Sequence, residues 1–288
     1  MSLPDLYAVL GNPVQHSRSP RIHQLFAQQC GQTLRYERRL VPPGAFDAAL
    51  AALRAEGARG CNVTVPCKFD AARAASRLSP RAELAQAANT LGWDEQGLLW
   101  GDNTDGIGLV RDLARLLGRD GAEQALRGMR VLLLGAGGAA CGVLGALIEA
   151  GAAQLEVWNR SPERAERLVQ RHAGLAARHG AALGASRAPA RGHDLVIHAT
   201  AGSLGGELPQ LPPEVLHAGA LAYDMMYGAR PTPFVALARA AGARAHDGLG
   251  MLVEQAAESF ALWRATRVRT EPVLRQLRAE LDAEAAAH

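Results

Sequence analysis

An α/β architecture in two domains, the second a doubly wound parallel sheet, is predicted by three features of this 288-residue sequence. Val131-Leu132-Leu133-Leu134 is an unbroken apolar run, as expected of a parallel strand covered on both faces. It stops at a glycine turn in which Gly135, Gly137 and Ala140 have G-x-G-x-x-A spacing. Val143, Leu144, Leu147 and Ile148 then form a helical stripe, and a second strand, Leu155-Glu156-Val157-Trp158, follows Gly151, which completes one βαβ unit.

The elements before this unit also read as α/β. Residues 6–10 form a strand that Gly11-Asn12-Pro13 breaks. Ser17 and Ser19 straddle Arg18, and Pro20 suits a first helical position, so Ser19 is the expected N-cap of a helix bearing Ile22, Leu25 and Phe26. Capping leaves Ser17 unexplained, and two hydroxyls beside a helix N-terminus suit a carboxylate ligand. A strand over 34–40, a helix over 45–56 with Phe46, Leu50 and Leu53, and a strand over 60–65 follow. Alternation puts Asn62 and Thr64 on one face, Pro66 forces the exit, and Lys68 stands at the mouth. An ammonium close to a helix N-terminus is disfavoured, which eases proton release and suits an acid/base group. After a short helix over 81–87, Asn89-Thr90 opens a hairpin that returns beyond Gly97 at 98–100. Asp105 then precedes a helix with Ile107, Leu109, Val110, Leu113, Leu116 and Leu117, where the two domains meet and ligand clefts are favoured.

In the second half, the glycine turn and the helix N-terminus behind it suit a pyrophosphate. The tip of the next strand usually carries an acid for the ribose of NAD. Here it carries Asn159-Arg160-Ser161 with Arg164 one turn on, and two guanidinium groups in place of a carboxylate imply NADP. Residues 195–198 and 221–225 are further strands whose ends line the cofactor crevice. Gly248 and Gly250 lead into a helix with Leu252, Ala256, Phe260 and Trp263, and Thr270-Glu271-Pro272 starts a last amphipathic helix. Both return to the first domain. The expected division is residues 1–104 plus 248–288 for substrate and 105–247 as a Rossmann domain for NADP.

Composition excludes several classes. Net charge is +3 and the arginines are interleaved with acids, as in Glu163-Arg164-Ala165-Glu166-Arg167, so no nucleic-acid surface is expected. Val131 to Ile148 is uncharged and long enough to suggest a membrane span, but five glycines interrupt it and a strand-turn-helix accounts for it better. Residues 1–12 show no secretory pattern, and a cytoplasmic protein is expected. Cys30, Cys61, Cys67 and Cys141 have neither zinc-ligand nor disulfide spacing, and the histidines, His16, His23 and His198 included, show no ligand pattern, so no metal is expected. Two rarities point to function. Lys68 is the only lysine among 31 basic residues, and the five asparagines, Asn12, Asn62, Asn89, Asn103 and Asn159, all fall in turn-rich stretches.

The stretches YAVLGNPVQHSRSPRIH, NVTVPCK, ANTL, GDNTDGIGL, GAGGAA, NRSPERA, YDMMY and DGLGMLVEQA resemble the shikimate dehydrogenases in order and spacing, from about Tyr7 to Glu280. The resemblance implies reversible NADPH-dependent reduction of 3-dehydroshikimate to shikimate, in the route to aromatic amino acids, by a monomer or homodimer without a metal. It makes Lys68 and Asp105 the catalytic pair. Ser17 and Ser19 match carboxylate-binding serines, Thr64, Asn89, Asp105 and Gln255 match groups on the ring hydroxyls, and Tyr227 matches a substrate-side tyrosine. Gly135, Ala136, Gly137, Gly138, Ala139, Asn159, Arg160, Ser161, Arg164, Met225 and Gly248 match cofactor contacts. His198 replaces an asparagine common in the family. The alternatives are a quinate or dual quinate/shikimate dehydrogenase, against which the paired serines and the arginine tip argue, and a catalytically silent NADP- or shikimate-binding regulator, against which Lys68 and Asp105 together argue.

Overall fold

The computed structural model describes residues 4–200 and 211–287. The first part runs β1 (Asp5–Gly11), α1 (Ser19–Gln29), β2 (Leu34–Leu40), α2 (Phe46–Ala55), β3 (Gly60–Val63), α3 (Lys68–Ala74), β4 (Arg77–Leu78), α4 (Pro80–Ala85), β5 (Thr90–Trp93) and β6 (Leu99–Asp102). These strands form a mixed six-stranded sheet in the order β2-β1-β3-β5-β6-β4. β1 pairs in parallel with β2 and β3, while β5 is antiparallel to both β3 and β6. The carboxyl ends of β1 and β3 therefore open at the same edge, where the serine loop and the Lys68 loop emerge side by side.

α5 (Asp105–Leu117) leads to the second sheet, built from β7 (Arg130–Leu134), α6 (Gly138–Glu149), β8 (Gln154–Trp158), α7 (Pro162–His179), β9 (Ala182–Ser186), β10 (Leu195–His198), β11 (Leu221–Asp224), α8 (Pro233–Ala240) and β12 (Arg244–His246). All six strands are parallel, in the order β12-β11-β10-β7-β8-β9, with the chain reversing direction between β7 and β10. In a doubly wound sheet that reversal leaves a crevice beyond the strand ends. The apolar run of β7 is covered on both faces. Val131 and Leu133 belong to one hydrophobic cluster with α5, α6 and α7, and Leu132 and Leu134 to another with Phe234 and Val235 of α8.

α9 (Leu249–Arg264) and α10 (Glu271–Ala286) pack against α1, burying Ile22 and Phe26 with Val253, Phe260, Val273 and Leu277. Arg21 on α1 adds an ion pair to Glu280 on α10 at 2.8 Å. Cys61, Cys67 and Cys141 are buried and Cys30 is half-buried, all as free thiols. Among the described residues no helix is long and apolar enough to cross a membrane, and no group of three or more His, Cys, Asp or Glu could hold a metal ion.

Several local expectations are corrected. Ser19 does not cap α1: Arg18 occupies the N-cap without a side-chain bond, Ser19 and Pro20 are the first helical residues, and it is Ser17 Oγ that accepts from the Ser19 N–H at 3.3 Å. The cap falls one position earlier than the serine pattern suggests, because the loop hydroxyl at Ser17 folds back onto the helix. β3 ends at Val63, since Thr64 already turns into the bend that closes with Cys67 N–H on Thr64 O at 3.0 Å. The helix expected over 81–87 begins at Pro80, capped by Ser79, and stops where Gln86 adopts a left-handed conformation.

Candidate active site

Lys68 and Asp105 are each the first residue of a helix, α3 and α5. The Lys68 ammonium donates to Asp105 Oδ2, and the two side chains are 14% and 6% exposed. The helix field that disfavours an ammonium at this end of α3 is met by the carboxylate opposite. Asp105 Oδ1 is held separately, by Asn89 Nδ2 at 2.9 Å. The same amide reaches Thr104 Oγ1 at 2.9 Å and Gln255 Oε1 at 3.2 Å, and its Oδ1 accepts from the Thr104 N–H at 2.8 Å. Gln255 is anchored in turn by donating to Leu252 O at 2.7 Å on α9. Both carboxylate oxygens thus have fixed donors, and only side chains from α3, the start of β5, α5 and α9 are needed to hold them.

Close helix packing makes this arrangement possible. A Cβ on Gly108 of α5 would lie 2.7 Å from Gln255 N, so α5 and α9 touch backbone to backbone just beyond Asp105. A Cβ on Gly142 of α6 would lie 2.8 Å from the Asn103 amide and 3.0 Å from Asp105 Oδ2. Asn103 donates to Ala87 O at 2.8 Å and accepts from the Asp105 N–H at 3.1 Å, which fixes the turn entering α5.

The serine loop is joined to the Lys68 loop by Asn12 N–H on Val65 O at 2.9 Å. Ser17 Oγ donates to Ser19 Oγ at 3.1 Å, and Arg38 on β2 grips the loop by donating Nε and Nη2 to Ser17 O at 2.9 and 2.7 Å. Tyr227 is half-buried against the apolar cluster of α1, α9 and α10, and burial pushes its phenol up against the opposing influence of the Arg18 backbone and guanidinium. Thr64 is half-buried, and its methyl fills the space a side chain on Gly11 would need. Beneath lies a polar layer that motif reading did not assign. Asn62 Nδ2 donates to Asn89 O at 3.1 Å, Thr90 Oγ1 at 3.2 Å and Ser259 Oγ at 3.0 Å, and Asn62 Oδ1 accepts from Tyr36 Oη at 2.7 Å. The scarcity of asparagine flagged Asn62 and Asn103; nothing in the sequence pointed to Ser259.

On the other wall, the glycine turn sits at the point where the second sheet reverses. Gly135 has φ +123, and a Cβ there would be 3.1 Å from Ala199 O at the end of β10. Gly137 is the extended N-cap of α6, has no capping side chain, and faces open space. Gly138 adjoins the Lys68 loop: a Cβ on it would be 3.3 Å from Lys68 Cβ. Ala136 is buried and Ala139 half-buried behind the turn. At the tip of β8, Asn159 Nδ2 donates to Ser161 O at 2.9 Å, while Arg160 and Arg164 are exposed and form no ion pair among the described residues. Met225 and Gly248 lie against each other, since any Cβ on Gly248 would overlap the Met225 backbone. His198 is fully buried, with Nδ1 3.1 Å from Asp224 Oδ1 and Nε2 2.7 Å from Thr200 Oγ1, so it is a satisfied structural group at the end of β10. An uncapped glycine N-terminus with a clear approach and two unpaired guanidinium groups fit a dinucleotide that carries an additional phosphate.

Known proteins agree with this architecture. Residues 9–91 match the family model for the shikimate dehydrogenase substrate binding domain, residues 119–204 that for shikimate / quinate 5-dehydrogenase, and residues 248–278 that for the shikimate 5'-dehydrogenase C-terminal domain. A curated shikimate dehydrogenase (NADP(+)) of Acidovorax sp. (strain JS42) is 53% identical over 97% of this chain and 98% of its own. Among solved structures, an Ael1 enzyme from Pseudomonas putida is 43% identical with a TM-score of 0.81, covering 95% of this chain and 98% of that one. The shikimate 5-dehydrogenase of Thermus thermophilus, solved in complex with NADP(H) and shikimate, is 33% identical with a TM-score of 0.79, covering 96% of this chain and 99% of that one. Matched by these family models along most of its length and by a curated relative over nearly all of it, the chain belongs to the shikimate dehydrogenase family.

Proposed function

We propose that this chain is an NADP-dependent oxidoreductase that interconverts 3-dehydroshikimate and shikimate. The observation that carries the reading is the junction of a lysine-aspartate ion pair with a dinucleotide turn: Lys68 pairs with Asp105 while its stem lies against Gly138. The near-full-length relationship to a protein named for that activity supports it. When bound, NADP(H) supplies or takes up the hydride at a ring carbon.

What the chain itself contributes is placement and proton management. In the reducing direction negative charge develops on the ketone oxygen, and the Lys68 ammonium stabilises it and delivers a proton from Nζ. Asp105, locked by Asn89 on one oxygen, holds Lys68 with the other and offers a carboxylate to a ring hydroxyl. Asn89, Thr64 and Gln255 orient further hydroxyls, Ser17 and Ser19 take the ring carboxylate, and Tyr227 serves on the substrate side. Such fixed orientation supplies much of the available rate enhancement. Gly135 to Ala139 would hold the pyrophosphate, Asn159, Arg160, Ser161 and Arg164 the adenosine phosphate, and Met225 and Gly248 the far end of the cofactor.

The division at residues 104/105 and 247/248 is part of this reading, and Lys68 and Asp105 then face each other across it. So are a cytoplasmic setting, a monomer or homodimer, and small molecules as the partners rather than nucleic acid. An initial-rate matrix of shikimate and quinate against NADP and NAD tests it. Highest kcat/KM is expected for shikimate with NADP; preference for quinate, or absence of turnover with both, overturns it.

A further inference from the structure

The link that delivers Asp105 is only two residues long, Asn103 and Thr104, and the group that holds its upstream end is a buried carboxylate outside the site described above. Asp102 ends β6 and is 6% exposed. Its Oδ1 accepts from the Asn103 N–H at 2.6 Å, from Arg81 Nε at 2.7 Å and from Ser79 Oγ, and its Oδ2 accepts from Arg81 Nη2 at 2.8 Å. The Arg81 fork is bidentate, the geometry that fixes orientation as well as charge. Arg81 Nη2 also lies 3.4 Å from Glu258 Oε1 on α9, and Glu258 Oε2 is 3.0 Å from Arg111 Nη2 on α5. The links form a loop from α4 to β6, α9 and α5, so Asp105 stands between two gripped points, Asp102 before it and Arg111 after it. Glu258 is adjacent to Ser259 and one helical turn from Gln255, the residues that hold Thr104 and Asn89.

We propose that Asp102, clasped by Arg81 and backed by Glu258 and Arg111, is a positioning residue that sets where Asp105 meets Lys68. Asp102 reaches neither Lys68 nor Asp105 by a hydrogen bond; it acts through the Asn103 backbone, whose side chain in turn accepts from the Asp105 N–H. A buried carboxylate is costly unless it is paired, and a strand end needs none for stability alone. Here burial, which would push the Asp102 carboxyl up, is outweighed by the Arg81 bonds, so the group is held below the usual carboxylate range and stays an acceptor for all four donors.

The inference rests on the proposed role of Asp105, and a double-mutant cycle separates the two. In Asp102→Asn the amide nitrogen presents a donor to Arg81 and breaks the fork; kcat for shikimate oxidation should fall roughly 10- to 100-fold, because displacements of an ångström or less at a reacting group cost that much. KM for NADP should stay within about twofold, as the cofactor wall is untouched. In an Asp105→Ala background the same Asp102→Asn change should cost no further kcat, since a residue acting through Asp105 has nothing left to position. Glu258→Gln, which loosens the clasp without stranding Asp102, is expected to lower kcat roughly threefold and serves if Asp102→Asn does not fold. A merely stabilising Asp102 would lower the melting temperature and leave kcat of the folded enzyme unchanged, whereas a contribution to turnover independent of Asp105 would add fully in the double mutant. Additive loss, or wild-type kcat in both Asp102→Asn and Glu258→Gln, overturns the proposal. Shikimate turnover by the unmodified chain leaves the proposed function standing in either case.

Discussion

Gly142→Ala separates stability from activity within a single helix. In the interior of α6 alanine is favoured over glycine by about 1 kcal/mol. The new Cβ, however, would stand 2.8 Å from the Asn103 amide and 3.0 Å from Asp105 Oδ2, where ordinary contact begins near 3.4 Å. Asn103 would have to retreat by roughly 0.6 Å and Asp105 by roughly 0.4 Å to restore van der Waals distance. Asn103 resists this, being tied to Ala87 O at 2.8 Å and to the Asp105 N–H at 3.1 Å. Overpacking typically costs about 1–3 kcal/mol, so the net change in stability should lie between nothing and about 2 kcal/mol. Activity should respond more strongly, because the atoms that yield belong to the pair proposed to handle the proton: half an ångström at Asp105 implies a loss of roughly tenfold in kcat. Gly145→Ala is the internal control. A Cβ there meets Leu84, Leu175 and His172 at 3.5, 3.6 and 3.9 Å, so it should stabilise the chain by up to about 1 kcal/mol with kcat unchanged. Both variants are measured for kcat at saturating shikimate and NADP and for Tm. A Gly142→Ala enzyme with near wild-type kcat and raised Tm would show that the α6 backbone does not position Asp105.

Lys68→Arg should lose as much kcat as Lys68→Ala, roughly 10²- to 10⁴-fold, because arginine keeps the charge but does not hand over a proton; a near wild-type kcat would reduce Lys68 to a fixed cation. Arg160→Ala should reduce kcat/KM with NADP by roughly tenfold or more while leaving the NAD value nearly unchanged, since a charge-assisted bond to a phosphate is lost; an unaltered NADP preference removes that contact from the reading. Ser17→Ala and Ser19→Ala should act mainly on KM for shikimate, as the carboxylate is bound alike in ground and transition states, and a collapse of kcat at constant KM would contradict that. His23 is fully buried, stacked 4.4 Å from Tyr36, and neither ring nitrogen has a hydrogen-bond partner among the described residues. Burial lowers it to about 3. The folded state therefore stays neutral where the unfolded chain takes up a proton, so stability is complete above about pH 6.5 and falls as the pH drops toward 3. Urea unfolding should show the wild-type chain losing about 2 kcal/mol more than His23→Phe between pH 7 and 5, and equal losses would contradict a buried neutral His23.

Most of the elements that carry the fold were legible from local patterns. The four apolar residues of β7, the turn at Gly135 and Gly137, and the stripe on α6 need no knowledge of their neighbours, because a strand buried on both faces and a helix closing on a phosphate-sized turn leave period and glycine signals in adjacent residues. Lys68, alone of its kind, and Asp105, opening a helix after a turn, were visible for the same reason. What was missed lacked such a signal. β9 is mostly exposed, β4 and β12 are two and three residues long, and all three are edge strands completed by their partners' hydrogen bonds rather than by their own side chains. α8 is short and is held in place by the sheet behind it. Only the tertiary structure decided that Ser17 rather than Ser19 closes the start of α1, that Ser259, 197 residues from Asn62, completes its hydrogen bonds, and that Gly108 and Gly142 must lack side chains. Composition and periodicity report how a residue meets solvent and core, whereas the width allowed to a side chain is set by whatever long-range folding brings against it, and that neighbour is written elsewhere in the chain.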